Sequence, residues 1–168
     1  DFRYITDCIT PEEALALLHE RAVGKAERLE TLRREGYPCY TTSAGWLGYD
    51  DDKLRRLCKE ATDAGFNHIK LKVGRDKADD IRRLRIAREV LGPDRHLMID
   101  ANQVWEVNQA VEWVRELAFA KPWFIEEPTS PDDIEGHRVI REGVHPVKVA
   151  TGEMCQNRII FKQLIMRG

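Results

Sequence analysis

The chain has 168 residues, 42% of them hydrophobic and 33% charged, enough for one sizeable core or for part of a larger domain. Its 29 acids against 27 bases leave a formal net charge of −2, so no basic patch argues for nucleic acid. No apolar run approaches the roughly 18 residues that a membrane span needs, and no basic, apolar leader opens the sequence. Cys8, Cys39, Cys58 and Cys155 are far apart and form no CxxC pair, which favours reduced thiols in a cytoplasmic protein over a zinc site. A first residue of Asp1 instead of Met suggests a piece of something longer.

Residues 1–9 form a short lead-in. Thr10-Pro11-Glu12-Glu13 then reads as a helix start, with Thr10 at N-cap, Pro11 at N1 and Glu13 closing a capping box. Leu15, Leu18, Ala22, Ala26, Leu29 and Leu32 continue at helical spacing as one long helix, with Gly36 just past its end. Tyr37-Pro38 breaks it, and 39–43 is rich in strand formers. The second helix runs from Asp50 to Ala64, with Leu54, Leu57, Cys58 and Ala61 on one face. Residues 68–74 alternate apolar and basic, the period of a strand, and a helix carrying Ile81, Leu84, Ala87 and Leu91 stops at Gly92-Pro93. Strands at 97–100, 123–126 and 147–150 follow, with helices at about 108–119, 131–142 and 157–166.

Five strands, each followed by a helix, demand a parallel sheet. The Gly-rich fingerprint G-x-G-x-x-G is absent, which weakens a dinucleotide-binding reading. Three strands instead end in an acid or have one close behind. Leu97-Met98-Ile99 runs into Asp100-Ala101-Asn102, Trp123-Phe124-Ile125 into Glu126-Glu127-Pro128, and Val147-Lys148-Val149-Ala150 is followed by Glu153. The spacings of 26 and 27 residues are close to one strand–helix unit each. Acids at successive strand ends point to a (β/α) barrel with its site at the C-terminal face. Five units are too few to close eight strands, so the expected fold is α/β, a partial (β/α)8 barrel of the TIM type. Three carboxylates at one end of adjacent strands can converge on a hard cation such as magnesium. One strand earlier, Lys70 and Lys72 point to the same side. Their mutual repulsion and a nearby cation would lower one lysine's pKa, and a neutral lysine is a competent general base.

These residues resemble the barrel domain of the enolase superfamily, in its mandelate racemase branch. The resemblance rests on Lys70-Leu71-Lys72, Asp100-Ala101-Asn102, Glu126-Glu127-Pro128 and Gly152-Glu153. More narrowly the chain is similar to the L-fuconate dehydratase subgroup. The strings that carry this are Asp1-Phe2-Arg3-Tyr4-Ile5-Thr6-Asp7, Tyr40-Thr41-Thr42-Ser43-Ala44-Gly45-Trp46-Leu47-Gly48-Tyr49, Glu126-Glu127-Pro128-Thr129-Ser130-Pro131-Asp132-Asp133 and Asn157-Arg158.

The resemblance implies magnesium bound by Asp100, Glu126 and Glu153, with Lys72 as general base and Lys70 beside it tuning its pKa and contacting the substrate carboxylate. Asn102 would hydrogen-bond the substrate, and Trp46 with Tyr49 would line the sugar-acid pocket or, equally, pack under the first helix. The implied reaction removes water from a small sugar acid such as L-fuconate to give a 2-keto-3-deoxy acid; racemase, epimerase and cycloisomerase reactions share the same first step. Residues 1–36 would join a capping domain to the barrel at 37–168, and the full-length protein would be a homo-oligomer. None of His19, His68, His96, His137 and His145 falls where the family carries its second acid/base, so the chain alone is expected to lack turnover.

Overall fold

A computed structural model describes residues 9–37 and 39–167. Residues 1–8, Pro38 and Gly168 lie outside the described residues, and with them the string over 1–7 and Cys8. The chain divides into two compact units, Asp1–Pro38 and Cys39–Gly168.

In the first unit the single long helix expected from periodicity is two: α1 (Pro11–Ala22) and α2 (Lys25–Glu35). The capping box is present as read: the Thr10 amide donates to Glu13 at 2.8 Å and the Glu13 amide to the Thr10 hydroxyl at 3.2 Å. What ends α1 is Gly24, which sits at φ +74°, a conformation cheap for glycine and costly for other residues. The guanidinium of Arg28 then takes over the freed helix-end carbonyls, donating to those of Val23 at 2.8 Å and of Arg21.

The second unit is an α/β layer. Its helices α3 (Asp51–Asp63), α4 (Lys77–Leu91), α5 (Val107–Leu117), α6 (Ile134–Val144) and α7 (Arg158–Arg167) alternate with β1 (His68–Lys72), β2 (His96–Asp100), β3 (Phe124–Glu126) and β4 (Lys148–Ala150). All strands are parallel, in the order β1-β2-β3-β4. Side-chain caps from Asp50, Asp76 and Asp133 start three of the helices. The helix expected from Pro131 therefore begins later, at Ile134.

The strand expected at 39–43 shrinks to one bridge, Thr41 beside Ile69. A turn follows at once, with the Gly45 amide donating to the Thr42 carbonyl at 2.9 Å. Gly45 then passes hard against β1: a Cβ there would lie 2.3 Å from the Lys70 carbonyl oxygen, so only glycine fits without a shift. Among the described residues, four strands and a bridge stand where five strands were expected.

Alternation along the strands sets up two faces. Ile69, Leu71, Leu97, Ile99 and Ile125 are fully buried in one core with Leu84, Ala87 and Leu91 of α4 and Val114 and Leu117 of α5. The alternate residues Lys70, Lys72, Asp100 and Glu126 share the other face.

Candidate active site

Register places the chemistry in one row. Lys72 of β1 stands beside Asp100 of β2, Asp100 beside Glu126 of β3, and Glu126 beside Ala150 of β4. Because side chains alternate and the strands are parallel, these groups project to one side at one end of the sheet. Lys72 Nζ lies 2.5 Å from Asp100 Oδ2. Lys70 is only 4% exposed, and its ammonium bridges two carboxylates, 3.1 Å from Asp100 Oδ2 and in close contact with Glu126 Oε2. It also donates to the Tyr40 hydroxyl at 3.3 Å. Trp46, half exposed, has its ring centroid 5.6 Å from Lys72 Nζ.

The lowered pKa expected of one lysine does not fall on Lys70. Burial alone would lower its pKa, but hydrogen bonds to Glu126 and Asp100 and the charge of both carboxylates hold it well above the ordinary lysine value.

The three-carboxylate constellation is brought together only in part. Asp100 and Glu126 are neighbours in the register, whereas Glu153 lies exposed in the turn beyond β4. Among the described residues no group of three or more His, Cys, Asp or Glu side chains is gathered to hold a metal ion. Lysine ammonium groups fill the counter-charge role between the carboxylates.

The donor chemistry nonetheless fits a hard divalent cation, and the residue that shows it is one the sequence reading passed over. Glu127 is 1% exposed; one carboxylate oxygen accepts from Gln103 Nε2 at 3.0 Å, and the other is buried with no hydrogen-bond partner. Burial pushes this carboxyl above the usual range; the Gln103 hydrogen bond opposes that, and the charges of Glu153 and Asp100 add to the rise. Excess buried oxygen donors of one sign are what a magnesium-type ion neutralises. The signal was present in Glu126-Glu127, where the first acid continues the strand and the second leaves it.

Backbone strain marks the same rim. Asn102, Gln103 and Glu127 have φ of +47°, +69° and +43°, unusual for residues other than glycine and typical of functional sites. Asn102 is exposed, and its amide donates to Asp100 Oδ1 at 3.0 Å, fixing the turn that follows the acid. Among the described residues of the second unit, no histidine enters the row. His68 and His96 stack at the opposite ends of β1 and β2, ring centroids 4.5 Å apart, while His137 lies buried on α6.

The second unit is thus a parallel α/β layer with lysines and carboxylates at the C-terminal strand ends. The chain belongs to the enolase C-terminal domain-like family, whose model matches residues 53–168. It is similar to L-galactonate dehydratase of Hypocrea jecorina, 59% identical over 173 aligned residues that cover 100% of this chain and 38% of that protein. Human Mitochondrial enolase superfamily member 1 is 53% identical over 98% of this chain, and its crystal structure superposes with a TM-score of 0.84, covering 99% of this chain and 38% of that one. The structure of L-talarate dehydratase from Polaromonas sp. JS666, complexed with Mg and L-glucarate, is 35% identical with a TM-score of 0.72, covering 77% of this chain and 36% of that one. The chain thus spans 38% of the length of the first two relatives.

Proposed function

We propose that this chain forms part of a (β/α)8-barrel enzyme that dehydrates a sugar acid to a 2-keto-3-deoxy acid. L-Fuconate or a close relative is the substrate. L-Fuconate is the 6-deoxy form of L-galactonate, so the resemblance to an L-galactonate dehydratase supports one substrate class with the same carbons 1 to 5. The observation that carries the reading is the row of Lys72, Asp100 and Glu126 across three adjacent strands, with Lys70 locked behind it.

Lys72 takes the proton from the substrate carbon next to the carboxylate. Lys70 stays charged between its carboxylates and faces the substrate carboxylate, while Asn102 and Trp46 hold and flank the sugar chain. Hydroxide leaves the neighbouring carbon and departs as water with the proton that Lys72 removed, the resulting enol rearranges to the ketone, and the net change is loss of one water. Asp100, Glu126 and Glu153 would hold magnesium, which when bound supplies a Lewis acid for the charge that builds on the substrate carboxylate.

The test is the intact protein with magnesium and a panel of sugar acids, assayed for keto acid. Formation of keto acid from L-fuconate or L-galactonate is expected; none from any sugar acid overturns the dehydratase reading. Exchange of the α-proton with solvent without keto acid would instead mark an epimerase or racemase of the same scaffold. In that intact enzyme Lys72→Ala should lower turnover by about 10²–10⁴-fold, the usual worth of a general base. Asp100→Asn should abolish measurable dehydration, and unchanged turnover in that variant would remove the metal-site argument.

A further inference from the structure

Behind the candidate base, on the packed side of the sheet, lies a charged pair that the chemistry above does not use. Arg83 and Asp80, one helical turn apart on α4, are both fully buried. Arg83 donates from Nη1 to the Lys72 carbonyl at 2.6 Å, and from Nη2 to the carbonyls of Gly45 at 2.8 Å and Trp46 at 3.0 Å. Asp80 stands 3.5 Å from Arg83 Nη1 and accepts from the Gly74 amide at 2.7 Å and the Trp113 indole at 3.3 Å.

We propose that Arg83 is a positioning residue: its guanidinium fastens the Lys72 end of β1 to the turn carrying Trp46, so that base and pocket wall move as one body.

Three observations converge on this. A buried ion pair is weak evidence for stability, since apolar residues of similar volume often serve as well or better, so its location directly behind Lys72 asks for another reason. The planar fork of arginine reaches three carbonyls on two separate segments from two nitrogens held at a fixed separation, which the single nitrogen of a lysine does not reproduce and an apolar residue cannot. The remaining links grip the same place: the Lys72 amide donates to the Gly45 carbonyl at 2.8 Å, and Asp80 holds the Gly74 amide two residues beyond Lys72. The strand end is thereby held on both sides of the base. Displacement of a reacting group by about 1 Å can cost 10²-fold in rate, which is the scale such a clamp guards against.

The catalytic part of this inference rests on the proposed function; the clamp itself does not. Arg83→Lys retains the charge beside Asp80 but replaces the two-nitrogen fork that spans the two segments with one nitrogen. In the intact protein with magnesium, kcat for the sugar acid that the unsubstituted enzyme turns over should fall about 10–100-fold, with KM changed by less than about threefold. Amide hydrogen exchange at Gly45 and Lys72 should quicken at least about tenfold while thermal unfolding stays cooperative. Unchanged kcat and exchange would overturn the proposal, as would a lowered melting temperature with kcat intact, which is the signature of a merely structural role. If the unsubstituted protein dehydrates no sugar acid, the functional reading fails, while the exchange measurement still decides whether the clamp exists. If Arg83→Lys does not fold, the unsubstituted protein decides: the Gly45 amide should exchange within about tenfold of the Val73 amide, and exchange at the rate of an open loop would refute the clamp.

Discussion

Single side chains in this protein owe their chemistry to which face of the sheet they occupy. Cys58 on α3 is fully buried in the core, and burial pushes its thiol up to about 11, although the charge of Arg83 pulls the other way. Cys39 is exposed. A thiol reagent at pH 8 should therefore label Cys39 in the folded protein and reach Cys58 only on unfolding, which mass mapping of the labelled peptides checks. His68 is also set by its surroundings: burial, then the neighbouring His96, holds its imidazole below the ordinary histidine value of 6.5. Folding thus favours the neutral ring. As pH falls below about 6.5, the unfolded chain takes up a proton that the folded chain resists, and stability is lost down through the lowered folded value. Melting temperatures between pH 7.5 and 5 should decline, and His68→Gln should flatten part of that decline.

At the level of elements, what was legible in the sequence was what is decided locally. Thr10 with Glu13, the helix beginning near Asp50, the alternation along β1 and the apolar run of β2 act within a few residues, and the structure has these elements within a residue or two of where they were read. Helix length was misjudged because the leucine and alanine spacing runs through Gly24, whose break depends on Arg28 reaching back to cap α1. The strand at 39–43 failed for a related reason: its composition suits a strand, but pairing needs a partner, and the turn to Gly45 leaves room for one bridge. Asp80 and Arg83 went unnoticed because charges inside a helix usually face water. Only their phase, in step with Leu84, Ala87 and Leu91, gave them away. The close passage of Gly45 over β1 yields a test at this scale. Gly45→Ala should destabilise the protein by about 1–3 kcal/mol, the cost of forcing an extra carbon into a packed site, measured by urea unfolding.

Across the whole molecule, the sheet carries two of the three expected ligands, the lysine pair and the buried Glu127, over 38% of the length of the first relatives. Lys72 is the base in the proposed reaction, and among the described residues of the second unit no histidine stands opposite it in the row. The 168-residue chain alone should accordingly give no measurable keto acid from any sugar acid, even with magnesium; turnover by the isolated chain would refute this. The strand order has a different consequence. Every neighbour in the sheet is also the next strand in the chain, β1-β2-β3-β4, so no strand need wait for a distant one to be made. Such a sheet can grow one unit at a time as the polypeptide leaves the ribosome, with each new helix closing over the strand pair just laid down. The lysine pair would then meet its first carboxylate as soon as β2 emerges, long before any later segment could compete for it.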